Sequence, residues 1–542
     1  MITHVVNLLV TLGATLIGYG LYNVSRVIYQ ELTSSTRDLP GPKTPSLLYG
    51  HLKEIQDPTK QQSIHEAWVR EYGRVFQYKG LFNISRLYIA DTKALDHILI
   101  NSYDYQKPQD ARYILAGLVG PGVLVVEKDE HKRQNPAFSA GRIREYTQIF
   151  LEKAAQLRDI WRAKSARQGH STRRIDVLSW LSKMTLDVIG LAGFNYSINA
   201  LTDQKSELND AFDAMFNTES QSTFITRLKA TFPIFRLLRT ERDTRIQLAQ
   251  DTMARIGNQL LRESKAQAAA TGEKQSNRDL LSLLVRANMS SDIPESQRMS
   301  DRDVLAQVPT FIVAGHETTS NGTAWALFAL TQDLRVQTKL REELFTIDTD
   351  NPTMDQLNAL PYLDMVVRES LRMHPPAPYV HRQSMKDDIL PLRNPVIDCK
   401  GEVHHTIRKT RMFCFNRVRK GQIMMVPIIA VNRDKSIWGE DADEFRPERW
   451  ESISEASSEV PGVWGNMLTF LGGPRACIGY RFALIELKAL LFTLVRAFEF
   501  ELGVPPTDIA KKLSGVVQKP VLVTEPNGVN QMPLLIKRYN RA

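Results

Sequence analysis

FLGGPRACIGYR, residues Phe470 to Arg481, places one of only three cysteines in a 542-residue chain among glycines and two positions after an arginine. A lone cysteine is ordinarily a small buried hydrophobe, so a special role for Cys477 has to come from its neighbours. Gly472, Gly473 and Gly479 let the backbone approach a flat ligand closely, and Pro474 stiffens the turn. Cys477 stands just ahead of an apolar helical stretch, Phe482 to Leu491. A helix start offers free N–H groups and a positive dipole end, which together lower a thiol's pKa and stabilise the thiolate. A thiolate so placed suits heme iron, where it pushes electron density toward O–O cleavage, and Arg475 is within reach of a heme propionate.

Working outward, the composition is that of a folded globular protein, with 43% hydrophobic and 24% charged residues. Cys399, Cys414 and Cys477 are too few for a disulfide framework and too far apart for a CxxC metal clip, which points to a reducing compartment. The net charge of +9 comes from scattered Lys and Arg without a long basic run. That balance suits a membrane surface or an acidic protein partner and argues against nucleic acid. Periodicity is mostly helical, with strand-like pieces at Arg74 to Ala90, Gly421 to Pro427 and Pro520 to Ile536. The expected fold class is therefore mainly α with small peripheral β-sheets.

Ser300 to Asp333 reads as one long buried helix, with Ser300 as cap, Asp303 at the capping-box position and Pro309 as a kink that leaves two shorter helices open. AGHETTS, Ala314 to Ser320, interrupts its apolar run with small and polar residues. Either these hydroxyls bond back to carbonyls one turn earlier, or the small residues make a groove for dioxygen and Glu317 and Thr318 deliver protons to it.

At the N-terminus, Val5 to Tyr22 carries no charge and is about long enough to cross a bilayer. Arg26, Arg37 and Lys43 follow it and hold the rest of the chain on the cytoplasmic side. The expected organisation is a membrane anchor in 1–25, a connector in 26–50 stiffened by Pro40, Pro42 and Pro45, and one large domain in 51–542.

The stretch around Cys477 has the pattern FxxGxRxCxG and resembles the heme-binding loop of the cytochrome P450 superfamily. ESLR (Glu369 to Arg372), FRPERW (Phe445 to Trp450) and AGHETT resemble three further motifs of that family, in the same order, and the likeness covers nearly the whole chain. The resemblance implies a P450-like fold with an N-terminal transmembrane helix and heme b ligated by the Cys477 thiolate, with Phe470 packed beside it and Gly473 and Gly479 in the cofactor loop. It implies a proton relay through Thr318 and Glu317, room for O2 at Ala314 and Gly315, and propionate contacts from Arg475, Arg382 and His131. Glu369, Arg372 and Arg449 would form a buried ion-pair network supporting the cysteine loop, whereas ESLR alone would more commonly be a solvated helix pair. His374 and His381 are read as structural or propionate-facing, since the family's ligand is sulfur.

Two segments depart from the family's pattern. The fourth residue after His131 is Asn135, where an arginine is expected, and Pro136 limits the helix to about two turns from Lys128. The basic passage around Lys409 to Arg417, with Cys414, is longer than its counterpart. Asp104 to Val126 and Ser222 to Arg239 are expected to shape the substrate pocket, and the second carries Phe232, Ile234, Phe235, Leu237 and Leu238 among basic residues, a composition suited to dipping into a bilayer or to an ordinary amphipathic helix and turn.

The activity implied is a fungal, microsomal-type heme-thiolate monooxygenase of the endoplasmic reticulum membrane acting on a lipophilic small molecule, such as a terpenoid, a fatty acid or a foreign aromatic. No G-x-G-x-x-G fingerprint precedes a helix, so electrons from NADPH are expected through a separate NADPH–cytochrome P450 reductase, with cytochrome b5 as a second donor. Two alternatives stay open: an isomerase or peroxygenase needing no reductase, and a heme-binding protein without turnover.

Overall fold

The computed structural model describes residues 36–134, 140–166, 172–202, 224–271, 279–289, 298–407, 418–525 and 529–541, with isolated positions in 4–31 and residue 207. The chain divides into two compact units, one built from residues 1–106 and 381–427 and the other from 107–380 and 428–542. Most of the expected anchor, all of Asn135–Pro136 and the passage from Lys409 to Arg417 fall outside the described residues. The described positions between 4 and 31 are helical. Among the described residues one helix, Val177–Phe194, is long and apolar enough to cross a membrane, and it is mostly buried within its own unit, as a core helix is.

The first unit is organised by a sheet whose strands run in the order Val75–Lys79, Ser85–Ile89, Ile423–Val426, Val380–Ser384, Tyr105–Gln106. The first two pair antiparallel, with Val75 opposite Ile89, and Ser85–Ile89 pairs parallel with Ile423–Val426. Alternating Phe76, Tyr78 and Tyr88 bury an aromatic layer against Trp68, with Phe76 and Tyr88 stacked at 4.3 Å between ring centroids. The proline-rich stretch is not a free spacer. Gln77 donates its amide to the Pro40 carbonyl at 2.9 Å, Leu39 is buried, and a Cβ at Gly41 would come within 2.0 Å of the Gln77 carbonyl oxygen. The stretch is thus fastened to the sheet edge by one backbone hydrogen bond to Pro40 and by the Gln77 side-chain amide, which donates to the Leu39 carbonyl at 2.9 Å.

His65 is buried in that aromatic layer, 3.1 Å from the Tyr88 hydroxyl, and burial lowers its pKa to about 4. The unfolded chain binds this proton below the ordinary value of 6.5 while the folded chain refuses it until about 4. Stability contributed by neutral His65 is therefore present above pH 6.5 and lost as pH falls through that window, by up to roughly 3 kcal/mol. Urea midpoints at pH 7 and pH 5 should show His65→Phe flattening the acid-side loss; an unchanged pH slope would refute the assignment.

The second unit is helical around one long element. Asp301–Gln332 is a single 32-residue helix, capped by Ser300 with the full reciprocal box to Asp303, and Pro309 lies inside it without ending it. Helices Val177–Phe194, Tyr480–Ala497 and Pro361–Met373 pack on this central helix, and Ala140–Ala166 packs on Tyr480–Ala497. Gly315 and Gly322 make two of these approaches close: a Cβ at 315 would sit 2.9 Å from Ile189, and one at 322 would touch Leu487 at 3.6 Å. A three-stranded sheet, Thr172–Asp176, Pro533–Arg538, Phe498–Leu502, and a hairpin, Ile509–Ser514 with Val517–Leu522, complete the unit. The charged residues in Thr172–Asp176 and Ile509–Ser514 hide the strand pattern in the sequence.

Phe224–Thr231 is a helix followed by a 3-10 turn, Pro233–Leu237, and this segment leaves Ile225, Ile234, Leu237 and Leu238 exposed, Leu237 by 79%. The polar stretch after Lys265 continues the helix Glu241–Thr271 to its end, and residues 272–278 lie outside the described ones.

Candidate active site

The cysteine loop begins with a 3-10 turn, Leu468–Phe470, passes through Leu471 and Gly472, turns again over Gly473–Arg475 and enters the helix at Tyr480. The Cys477 amide donates to the Phe470 carbonyl at 2.8 Å, which closes the loop. Gly472 is the glycine the fold cannot replace, because a Cβ there would lie 1.7 Å from the Pro461 carbonyl oxygen. Gly473 has φ of +66°, in the left-handed region. At Gly479 an added Cβ would meet no protein atom within 4 Å. The Phe470 ring packs between Trp464 and Tyr480, at 5.7 and 6.0 Å.

Cys477 presents an accessible thiol, but the space it faces is enclosed by protein. That burial pushes the thiol up to about 11, against the smaller pull of the Gly479 amide. The expectation that the helix start would lower this pKa is not met: the helix begins three residues on, at Tyr480, and burial outweighs the one amide that acts on the sulfur.

Arg475 sits over the loop with Nη2 2.8 Å from a Glu127 carboxylate oxygen and 2.8 Å from the Val126 carbonyl oxygen. Its Nη1 is buried and has no hydrogen-bond partner among the described residues. His131, in the seven-residue helix Lys128–Gln134, is held at about 3 by burial and then by the Arg475 and Lys107 cations, so it belongs to the same cluster. The two turns of that helix are what the sequence allowed. Arg382 is buried in strand Val380–Ser384 of the first unit and donates to the His381 carbonyl at 3.0 Å, while the His381 ring meets the Tyr78 hydroxyl at 3.3 Å. His374 is structural, stacked on Trp325 at 4.9 Å with the rings almost parallel.

Beneath the loop, Glu369 and Arg372 are fully buried and doubly bonded, at 2.9 and 2.8 Å. Arg449 adds a 3.3 Å contact to Glu369, and the Trp450 indole N–H donates to it at 3.0 Å. Arg372 donates onward to the carbonyls of Asn432 and Ala442. The Asn432 side chain accepts from the Leu468 amide at 2.9 Å and donates to the Thr469 hydroxyl at 2.8 Å. The network thus reaches the residues that open the cysteine loop, and a solvated helix pair is excluded.

On the central helix, Ala314 is exposed and Gly315 and Thr318 are half-exposed along a stretch otherwise buried. Thr318 donates to the Ala314 carbonyl at 2.7 Å, the back-bonded arrangement. Gly315 faces Ile189, so its missing side chain serves helix packing, and the open position of the pair is Ala314. Glu317 is buried and paired with Lys519 at 2.8 and 3.0 Å, with His316 at 3.5 Å. Burial works against its ionisation, but the Lys519 ammonium and His316 outweigh it and hold the carboxyl at about 2. Any relay through Glu317 therefore starts from an ion pair.

Three residues escaped the sequence reading: Glu127, Lys519 and Glu486. The last two had a signal, a charge inside the apolar runs FALIELKALL and VVQKPVLV; Glu127 had none.

An enclosed thiol, a glycine with free space above it, a buried guanidinium nitrogen without a partner and an open alanine on a buried helix are donors and space that fit a flat anionic cofactor bound through sulfur. Comparison with known proteins agrees. The sequence profile described as "Cytochrome P450" matches residues 40–399 and 402–524. The chain is 50% identical over 553 aligned residues, all of both chains, to cytochrome P450 monooxygenase 205 of Postia placenta. It is 48% identical to cytochrome P450 monooxygenase 128 of the same fungus, covering 98% of this chain and 97% of that one. It is 33% identical to cytochrome P450 monooxygenase claQ of Ampulloclitocybe clavipes, covering 93% of each.

Proposed function

The chain belongs to the cytochrome P450 family of heme b monooxygenases with cysteine thiolate ligation, and from that premise we propose that Cys477 is the heme ligand of an enzyme that oxygenates a lipophilic small molecule at the face of Ala314 and Thr318. The observation that carries the assignment is the enclosed, accessible thiol of Cys477 in a loop closed by its own amide.

When bound, heme supplies the dioxygen chemistry, which a thiolate ligand promotes by donating electron density. Arg475 offers its free Nη1 to one propionate while Glu127 fixes the rest of the guanidinium. His131, neutral at physiological pH, offers a ring N–H beside it. Gly479 leaves room for the flat ring to approach. Thr318 holds its hydroxyl at the open face, donated to the Ala314 carbonyl, where it would be available as a proton donor beside the cofactor. The Glu317 carboxylate, fixed by Lys519, supplies negative charge next to it.

The exposed apolar residues of Phe224–Thr231 and Pro233–Leu237, flanked by Lys and Arg, support contact with a bilayer and a substrate that partitions from it. The reading includes anchorage in the endoplasmic reticulum membrane with the catalytic part cytoplasmic, and electrons from NADPH through a separate reductase, with cytochrome b5 as a second donor. Its test is the carbon monoxide difference spectrum of the reduced protein in microsomes. A strongly red-shifted, thiolate-type band is expected; an imidazole-type band or none would overturn the ligand assignment.

A further inference from the structure

Between the short helix Lys435–Trp438 and the 3-10 turn Pro447–Glu451, the second unit opens a cavity of about 270 Å³. Its charged lining has one sign: Lys435, Arg446 and Arg449 reach the wall, and no acidic residue among the described ones does. Trp438, Trp450 and Ile453 supply the apolar part, where the two indoles meet at 5.5 Å between ring centroids. Ser452 and Ser454 add hydroxyl groups at the exposed edge.

The three cations are engaged to different degrees. Arg449, with a side chain only 6% exposed, is committed inward, donating to Glu369, to the Trp438 carbonyl and to Asp441. Lys435 and Arg446 are half-exposed at the rim. Lys435 faces Glu440 at 3.5 Å, but that carboxylate is 93% exposed, and such surface pairs hold weakly. Arg446 faces Asp441 at 2.8 Å, and the same carboxylate serves Arg449, so one anion is divided between two guanidiniums. The hydrogen bond from Arg449 accordingly holds the Asp441 carboxyl below its ordinary range. This pairing leaves positive charge facing the cavity, directly above an apolar floor.

We propose that this cavity is an accessory binding site for a small aromatic carboxylate, its carboxylate held between Lys435 and Arg446 and its ring laid against Trp438, Trp450 and Ile453. A guanidinium offers parallel N–H donors that match a carboxylate, and indole walls favour a flat ring over an aliphatic body. A bare inorganic anion would satisfy the cations and leave the apolar floor uncovered. Two charge-assisted contacts at a half-exposed rim correspond to a dissociation constant on the order of 1 mM. The cavity shares Arg449 with the Glu369 network that reaches Leu468 and Thr469 at the start of the cysteine loop. A ligand that binds only the folded chain therefore stabilises it from the wall of that network. The inference uses neither Cys477 nor the face of Ala314 and Thr318.

The test titrates benzoate into the heme-loaded full-length protein in detergent micelles, read by saturation-transfer NMR of the ligand. Wild type should bind saturably with a dissociation constant on the order of 1 mM. Lys435→Ala and Arg446→Ala should each weaken binding at least about 10-fold, and the double variant should abolish it. Benzyl alcohol, which lacks the charge, and inorganic phosphate, which lacks the ring, should each bind at least about 10-fold more weakly than benzoate. At matched ionic strength, benzoate at about ten times its dissociation constant should raise the wild-type unfolding midpoint by about 1 °C and leave the double variant unmoved. Both substituted side chains are half-exposed, so the variants should fold, and urea midpoints check this. If the double variant does not fold, Ile453→Asp, which sets a negative charge on the wall at a position 43% exposed, should abolish binding in its place. Failure to saturate, or an affinity unchanged in the variants, would overturn the site. Phosphate binding as tightly as benzoate would overturn the ligand class.

Discussion

Cys477→Ser is expected to abolish the thiolate-type carbon monoxide band completely and to reduce NADPH-dependent oxygenation to background, while leaving the folded chain intact. The reasons lie in what each atom of the residue touches. Its amide closes the loop by donating to the Phe470 carbonyl, a bond that serine retains. Its side chain faces enclosed space rather than a packed core, so exchanging sulfur for oxygen should change stability by no more than about 0.5 kcal/mol. Sulfur chemistry is what disappears: a serine hydroxyl is far less acidic than a thiol and does not push electron density into iron as a thiolate does. Circular dichroism and urea midpoints would check the fold, and the spectrum would check the ligand. A red-shifted band surviving in Cys477→Ser would move the ligand to another residue.

Glu369→Ala carries the second large effect, on folding. Glu369 is the anion to which Arg372 and Arg449 are both committed, and Glu369 and Arg372 are completely buried. Removing it leaves the fully buried Arg372 guanidinium without its carboxylate, while Arg449 keeps Asp441, and breaking a buried pair in this way costs about 3–5 kcal/mol. Total stability is on the order of 5–15 kcal/mol, so the loss takes a large share of it. It also frees Arg372 from the geometry that presents the Asn432 backbone, and Asn432 holds the start of the cysteine loop through Leu468 and Thr469. The expected result is a chain recovered largely insoluble, with little heme in the soluble remainder. Glu369→Gln keeps the hydrogen-bonding shape without the charge and should fall between. A soluble Glu369→Ala protein with a wild-type urea midpoint would refute the coupling.

The cysteine loop was readable because its constraints are local. Gly473 and Pro474 impose backbone conformations that few other residues adopt, and Arg475 and Cys477 are tied to them within a few positions. The long helix was equally legible, since Ser300 and Asp303 cap it through bonds three residues apart. The same locality made the kink at Pro309 look like a possible break; packing on the neighbouring helices keeps Asp301–Gln332 whole, because tertiary burial outweighs one lost hydrogen bond.

Legible in the chain were the elements whose cause lies within one turn or one loop, namely the cysteine turn, the capped central helix and the short helix Lys128–Gln134, together with the family, by the resemblance of four motifs in order. The charge environments came from packing between distant parts of the chain. Lys519 lies 202 residues from Glu317, Glu127 lies 348 residues before Arg475, and Glu486 meets Thr319 across a helix interface. Ionisation depends on distance and burial, which chain order does not encode, so the same residue type is held ionised by Lys519 at 317 and pushed well above the ordinary carboxylate range by burial at 486.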